Sequence, residues 1–415
     1  MRAKSWPLLP AVLWLLLAAA PARAESPGLA VLPFAGTAPA QAYFGRGFAE
    51  DLIRDLSRVP GLRVMARQSV RPYAGREVAP ATVARELGVR YVLRGEVGLR
   101  DGRLVLRATL RDTGAGAGAD LWTEERDADP DAVLALRHGL AVRVARSLGR
   151  GPGPPPVAKG RGAGFAAYDL LLRATALERR MTGADNLAAR DLLRRAIDLA
   201  PGFAPAHARL AQVLDIAAGE GWGDDPAGDG ERALTMAERA ASLDPTLPHA
   251  FWVLGLVLTH LDRYDGAVPA MEAAVALAPG YADARAFLAQ LYAYTGHAAR
   301  GLAAIERARP LNPAGPFWYA HAHGLCLYLL GFNDLALAEL RASVAQSPGM
   351  DFTRRLLVAV LGALGDRDEA RWQLDELADL GFAVTLDEFA RVTPIRDPAT
   401  VAKYLADLRR AGVAE

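Results

Sequence analysis

Five prolines set the tightest constraint on what this chain can fold into. Pro201, Pro245, Pro279, Pro313 and Pro348 each follow an alanine-rich segment with helical apolar spacing, and their separations are 44, 34, 34 and 35 residues. A period of this length belongs to arrays whose unit is one supersecondary element that cannot bury its apolar face alone. Small and large residues keep the same period. Aligned on Pro279 and Pro313, Leu254-Gly255 matches Leu288-Ala289, Leu258 matches Tyr292, Ala267 matches Gly301, Met271 matches Ile305 and Ala274 matches Ala308. Helices cross closely where a small residue meets a large one, and proline stops the second helix so that the chain can turn back.

This pattern resembles the tetratricopeptide-repeat family, and it predicts an all-α solenoid of about six helix pairs over residues 167–380. The unit ending at Pro348 supplies Gly324, Leu327, Ala336 and Leu340, and the one ending at Pro201 keeps Ala189, Leu193 and Ala196. A sixth pair follows with Leu357, Leu361, Ala370 and Leu374. The 44-residue interval places extra residues, Ala217 to Gly230, as a solvated loop between the helices of the second pair. In residues 381–415 a further helical face, Val401, Tyr404, Leu405 and Leu408, is expected to cap the last open core.

The amino-terminal part reads differently. Arg2 and Lys4, the apolar run Leu8 to Ala20 and the small-x-small site Ala22-Arg23-Ala24 are the three parts of a secretory leader, residues 1–24. A spanning helix needs roughly 20 apolar residues, so cleavage and a periplasmic mature chain are expected ahead of an uncleaved inner-membrane anchor. From Gly28 to Gly149 strand and helix patterns interleave: an apolar run Gly28 to Phe34, a helical face of Phe44, Phe48, Leu52, Ile53 and Leu56, a short strand around Leu62 to Ala66, and a short helix Ala81 to Leu87. Strands follow at Tyr91 to Val97, Leu104 to Leu110 and Leu121 to Glu124, and Val133, Leu136, Leu140, Val144 and Leu148 form a closing amphipathic helix. The expected fold for residues 25–149 is a small mixed-sheet α/β domain.

Leu29-Ala-Val-Leu-Pro-Phe34, Tyr43-Phe-Gly-Arg-Gly-Phe48, Asp51-Leu-Ile-Arg-Asp-Leu-Ser57, Gly61-Leu-Arg-Val64, Ala84 to Gly95 and Leu121-Trp122 resemble the amino-terminal-domain family of TolB-like proteins. That family is often joined to tetratricopeptide repeats in bacterial cyclases and regulators. The resemblance implies a binding or docking domain without known catalytic residues. A Gly/Pro-rich stretch at residues 150–166 is expected to act as a hinge between this domain and the solenoid.

Composition narrows the chemistry. The charge is +1, from 48 Lys+Arg against 47 Asp+Glu, so no overall field draws the chain to nucleic acid or to an acidic membrane. One cysteine, Cys326, removes disulfide frameworks and multi-thiolate metal sites. His321 and His323 are two apart and diverge on a helix, Asp224, Asp225 and Asp229 lack calcium-loop spacing, and Gly114, Gly116 and Gly118 read as a hairpin tip. No catalytic residue, cofactor or metal is expected. The concave face of the solenoid remains, with the outward positions His249, Trp252, Thr259, Asp283, Gln290, Trp318, His321, Tyr328 and Arg355. Exposed aromatics there suit a protein or peptide partner, whereas Trp252 and Trp318 packed between repeats would be structural. The expected function is a non-enzymatic exported adaptor with a protein or peptide partner, an envelope protein among the candidates, and no nucleic acid. The alternative is a sensory or regulatory subunit whose α/β domain binds a small ligand.

Overall fold

A computed structural model describes residues 28–114, 118–151, 164–223 and 225–415. The expected leader, most of the expected linker, Gly116 and Asp224 lie outside them. The chain is a small α/β mixed-sheet domain followed by a helical solenoid. Strand β1 (Gly28–Val31) lies between β2 (Arg63–Val64) and β3 (Tyr91–Arg100), parallel to both. The antiparallel strands β4 (Arg103–Asp112) and β5 (Ala119–Ala128) complete the order β2-β1-β3-β4-β5. Leu104, Leu106, Ala108 and Leu110 alternate into the core with 0% exposure, while the β3–β4 turn uses Asp101 and Gly102 at positive φ. Positive φ at both central residues is what the type I′ form of a two-residue hairpin turn requires.

Helices α1 (Ala42–Ser57) and α4 (Val133–Ser147) cover the sheet with Phe44, Phe48, Leu52, Leu56, Leu140 and Val144. Between them lie the single-turn α2 (Arg67–Val70) and α3 (Pro80–Leu87), which Gly88 ends in the left-handed conformation.

Six helix pairs follow: α5 (Phe165–Glu178) with α6 (Gly183–Leu199), α7 (Ala204–Glu220) with α8 (Pro226–Leu243), and α9 (Pro248–His260) with α10 (Tyr264–Leu277). The series continues with α11 (Ala282–Tyr294) and α12 (Ala298–Ala308), α13 (Phe317–Leu329) and α14 (Asn333–Gln346), and α15 (Asp351–Leu364) and α16 (Arg367–Asp379). The small residues sit where the period placed them. A Cβ on Gly255 would stand 2.9 Å from Met271 Cε and 3.2 Å from the Ala267 carbonyl, so only glycine lets α9 approach α10 this closely. Among the described residues no helix is long and apolar enough to cross a membrane.

Two expectations need correction. The extra residues of the second pair do not form a solvated loop: α7 and α8 lengthen to 17 and 18 residues, and Asp225 caps α8 by accepting from Gly228 N–H. Asp229 is buried inside α8 and ion-paired to Arg190 of α6 at 2.8 Å. Nor does a hinge separate the two parts. Phe44 of α1 stacks on Phe165 of α5 at 5.2 Å, and one apolar core runs from the sheet into the first three helix pairs. The segment after α16, with α17 (Leu386–Val392) and α18 (Pro398–Ala411), packs against α15. It also runs back across the solenoid, where Arg396 N–H donates to the Tyr294 carbonyl at 2.8 Å.

Candidate functional site: the concave face of the solenoid

The first helices of successive pairs, α7, α9, α11, α13 and α15, line the concave face, because the small residues on their other side hold them against α8 to α16. This face is occupied by the chain itself along both edges.

At the amino-terminal ends of these helices sits the α/β domain. Gly280 N–H donates to the Ser57 carbonyl at 2.9 Å, and Ala66 N–H donates to the Leu311 carbonyl at 2.8 Å. The Ser69 hydroxyl donates to Asn312 Oδ1 at 2.9 Å in buried surroundings, and Asn312 Nδ2 reaches Gln68 Oε1 at 2.9 Å. Beneath this seat lies a buried polar knot. Arg137 of α4 donates to Asp55 and to Asp51 of α1, each at 2.8 Å, and the Tyr168 hydroxyl of α5 donates to Asp51 at 2.7 Å. Both carboxylates are satisfied only while α1, α4 and α5 stay together, since a buried charge stripped of its partner is strongly destabilising.

The tail lies along α13 and α15. Asp407 of α18 has no exposure; it accepts from the Tyr328 hydroxyl at 2.6 Å and from Lys403 at 2.8 Å, and it also pairs with Arg410. The Lys403 ammonium stands 3.7 Å from the centre of the Tyr328 ring. Phe389 and Phe382 face the Arg355 guanidinium at 5.0 and 5.7 Å.

Seven of the nine expected groove residues therefore fall into two sets. Beside the domain, His249 is buried and stacked on Trp252 at 5.4 Å, with the Tyr281 hydroxyl 3.2 Å from its Nδ1. Burial, helped by Arg209 and Arg54, holds that imidazole neutral well below its usual range. Trp318 is half-buried against Tyr319 and Phe287, and Asp283 accepts from the Tyr319 hydroxyl at 2.8 Å. Burial raises the Asp283 carboxyl above its ordinary range. Beneath the tail, His321 is buried against Phe352, and burial pushes it down to about 3. Tyr328 and Arg355 are buried as described, Arg355 pairing with Asp351 at 3.1 Å. Thr259 only donates back to the Gly255 carbonyl within its own helix, and Gln290 bonds the Tyr294 hydroxyl.

The expectation of an open face is corrected accordingly: His249, Thr259, His321, Tyr328 and Arg355 are buried by the chain's own segments. Sequence reading missed the Asp51, Asp55, Arg137 and Tyr168 knot. The two aspartates share a helix face at i and i+4, but nothing local points to Arg137 or Tyr168 as partners.

Known proteins resemble parts of this chain. The tetratricopeptide-repeat family model matches residues 258–323. A protein of Rhizobium meliloti (strain 1021) named putative adenylate cyclase 3 is 33% identical over 256 residues, which are 58% of this chain and 42% of that protein. The chain thus spans about two fifths of that relative's length. Among solved structures, PilF of Pseudomonas aeruginosa is 18% identical, with 58% of this chain and 97% of that one covered and a TM-score of 0.41. A thermophilic tetratricopeptide protein of Thermus thermophilus is 23% identical, with coverages of 48% and 99% and a TM-score of 0.34. Residues 258–323, within the helical solenoid that follows the α/β domain, thus carry tetratricopeptide repeats.

Proposed function

We propose that this chain is a non-enzymatic scaffold in which the solenoid holds a TolB-like α/β domain in fixed orientation and offers the assembled surface to a protein or peptide partner. The observation that carries this reading is the occupied concave face. Solenoids use that face to take protein segments, and here it takes the chain's own domain and tail. In this reading seven of the nine groove residues, all but Thr259 and Gln290, serve this internal seat. In this reading residues 25–149 form the docking domain, 150–166 connect it, 167–380 form the solenoid and 381–415 close it. The leader directs the chain to the periplasm, where an envelope protein is the partner.

Partner contact then falls on apolar side chains that the fold leaves outside. Phe332 and Leu335 follow α13 at 52% and 59% exposure, and Trp372 on α16 is 54% exposed. Such residues are the usual anchors of an interface. A photo-crosslinking residue placed at Phe332 or Trp372 in intact cells should give adducts to one defined protein, while the same residue at Trp252 should crosslink only within the chain. Intermolecular adducts from Trp252 and none from the other two would contradict the reading.

A second reading, a regulatory subunit in which the α/β domain binds a small ligand, draws support from the Rhizobium relative's name. It calls for ligand-dependent stabilisation of the domain.

A further inference from the structure

A cleft of about 500 Å³ opens between the α/β domain and the first two helix pairs, at the carboxyl ends of β1 and β2. That is where open α/β sheets receive ligands, and the volume suits a small organic molecule. Its charge is one-sided. Arg46 of α1, Arg67 and Arg71 of the α2 segment and Arg179 at the end of α5 line it, against two carboxylates, Glu50 and Glu178. Both carboxylates are already engaged: Glu50 pairs with Arg179, and Glu178 pairs with Arg209 at 3.0 Å. Among the described residues, Arg46, Arg67 and Arg71 have no side-chain hydrogen-bond or ion-pair partner, although Arg67 is half-buried. Burial and the neighbouring Arg179 pull the Arg67 guanidinium below its ordinary range, with Glu50 and Asp283 only partly offsetting them. The apolar side chains Val31, Ile53, Val70 and Ile216 also line it and supply an apolar wall.

We propose that this cleft binds an organic phosphate, its phosphate held by Arg46, Arg67 and Arg71 and its organic part laid on the apolar wall. Guanidinium forks match phosphate oxygens with paired charge-assisted hydrogen bonds. The ligand would supply the countercharge that the fold withholds. Because Glu178, Arg179 and Ile216 come from the solenoid while Arg46, Arg67 and Arg71 come from the domain, the ligand bridges the two parts. The proposal gives the regulatory reading a place and a chemistry, and the scaffold reading does not depend on it.

Calorimetry on the intact chain with inorganic phosphate, a nucleoside monophosphate and the uncharged nucleoside tests it. The monophosphate should bind saturably and more tightly than inorganic phosphate, and the nucleoside should not bind. The double variant Arg67→Met, Arg71→Gln should lose about tenfold or more in affinity, the effect of one or two charge-assisted bonds. Arg67→Met alone should raise the melting temperature without ligand, since it removes an uncompensated, partly desolvated charge. No binding by either phosphate probe, equal binding by the nucleoside or by inorganic phosphate, or a lowered melting temperature for Arg67→Met would each overturn the site. A ligand that stabilises the wild type and the double variant equally would sustain the regulatory reading while removing this cleft from it.

Discussion

The tail enters the concave face with its apolar side chains, whereas the α/β domain reaches the later repeats with backbone amides and short polar groups. Phe389, Tyr404 and Leu408 of the tail are at most 4% exposed and continue the core of α13 and α15. The domain shares a core with the first three helix pairs, yet at α11 and α13 it is held chiefly through Ser57, Ala66, Gln68 and Ser69. Apolar burial contributes kilocalories per side chain, while a hydrogen bond contributes about 1 kcal/mol net. One end of the groove is therefore closed as part of folding, and the other is latched.

Variants can break or sharpen that contrast. Phe389→Ala should cost about 3–5 kcal/mol in urea unfolding, as expected for a large truncated side chain in a sealed core; a loss under about 1 kcal/mol would mean that the tail is not part of the core. Gly255→Leu should cost about 1–3 kcal/mol by overpacking α9 against α10, and Arg263→Leu on the surface should cost little. Equal melting temperatures for the two would refute the helix-pair register.

Acid should act on the tail side in a definite direction. His321 is held neutral in the fold at about 3, so below its unfolded pKa of roughly 6.5 the unfolded chain binds the extra proton and stability falls with pH. Between about pH 6.5 and 5 the His321 contribution to this loss is about 2 kcal/mol, and a stability–pH profile of His321→Asn should be flatter by that amount. An unchanged slope would show that the imidazole already titrates in the folded state. The smallest effect belongs to the latch. Ser69→Ala should cost about 1 kcal/mol globally while speeding hydrogen exchange at the Ala66 and Gly280 amides. Unchanged exchange there would mean that those amides do not report the seat.

Local pattern made much of this architecture readable. The alternation of Leu104 to Leu110 and the period linking Gly255, Ala267 and Met271 are short-range records of which face is buried, and burial is what shaped them. The second helix pair escaped because glycine and aspartate suggest a loop, whereas Asp225 and Asp229 work as a helix cap and a buried ion pair. Groove occupancy escaped for another reason. Ser69 and Asn312 meet across 243 residues, and no periodicity connects two polar groups so far apart. Aromatic and histidine residues on a first helix look the same whether they await a partner or already have one within the chain.

The central claim is that the domain is latched onto the solenoid, and one pair of positions tests it directly. A Cβ on Gly280 would stand 3.4 Å from Ser57 Cβ, close to the roughly 3.5–4.5 Å a disulfide spans. In Ser57→Cys, Gly280→Cys the new thiols should join within the molecule under mild oxidation. The native Cys326 is buried, and burial pushes its thiol up to about 12, which keeps it out of the exchange. The account predicts near-complete intramolecular crosslinking at low protein concentration, with the native fold retained. Two thiols that stay open to alkylation, or a bond that forms only between molecules, would contradict it.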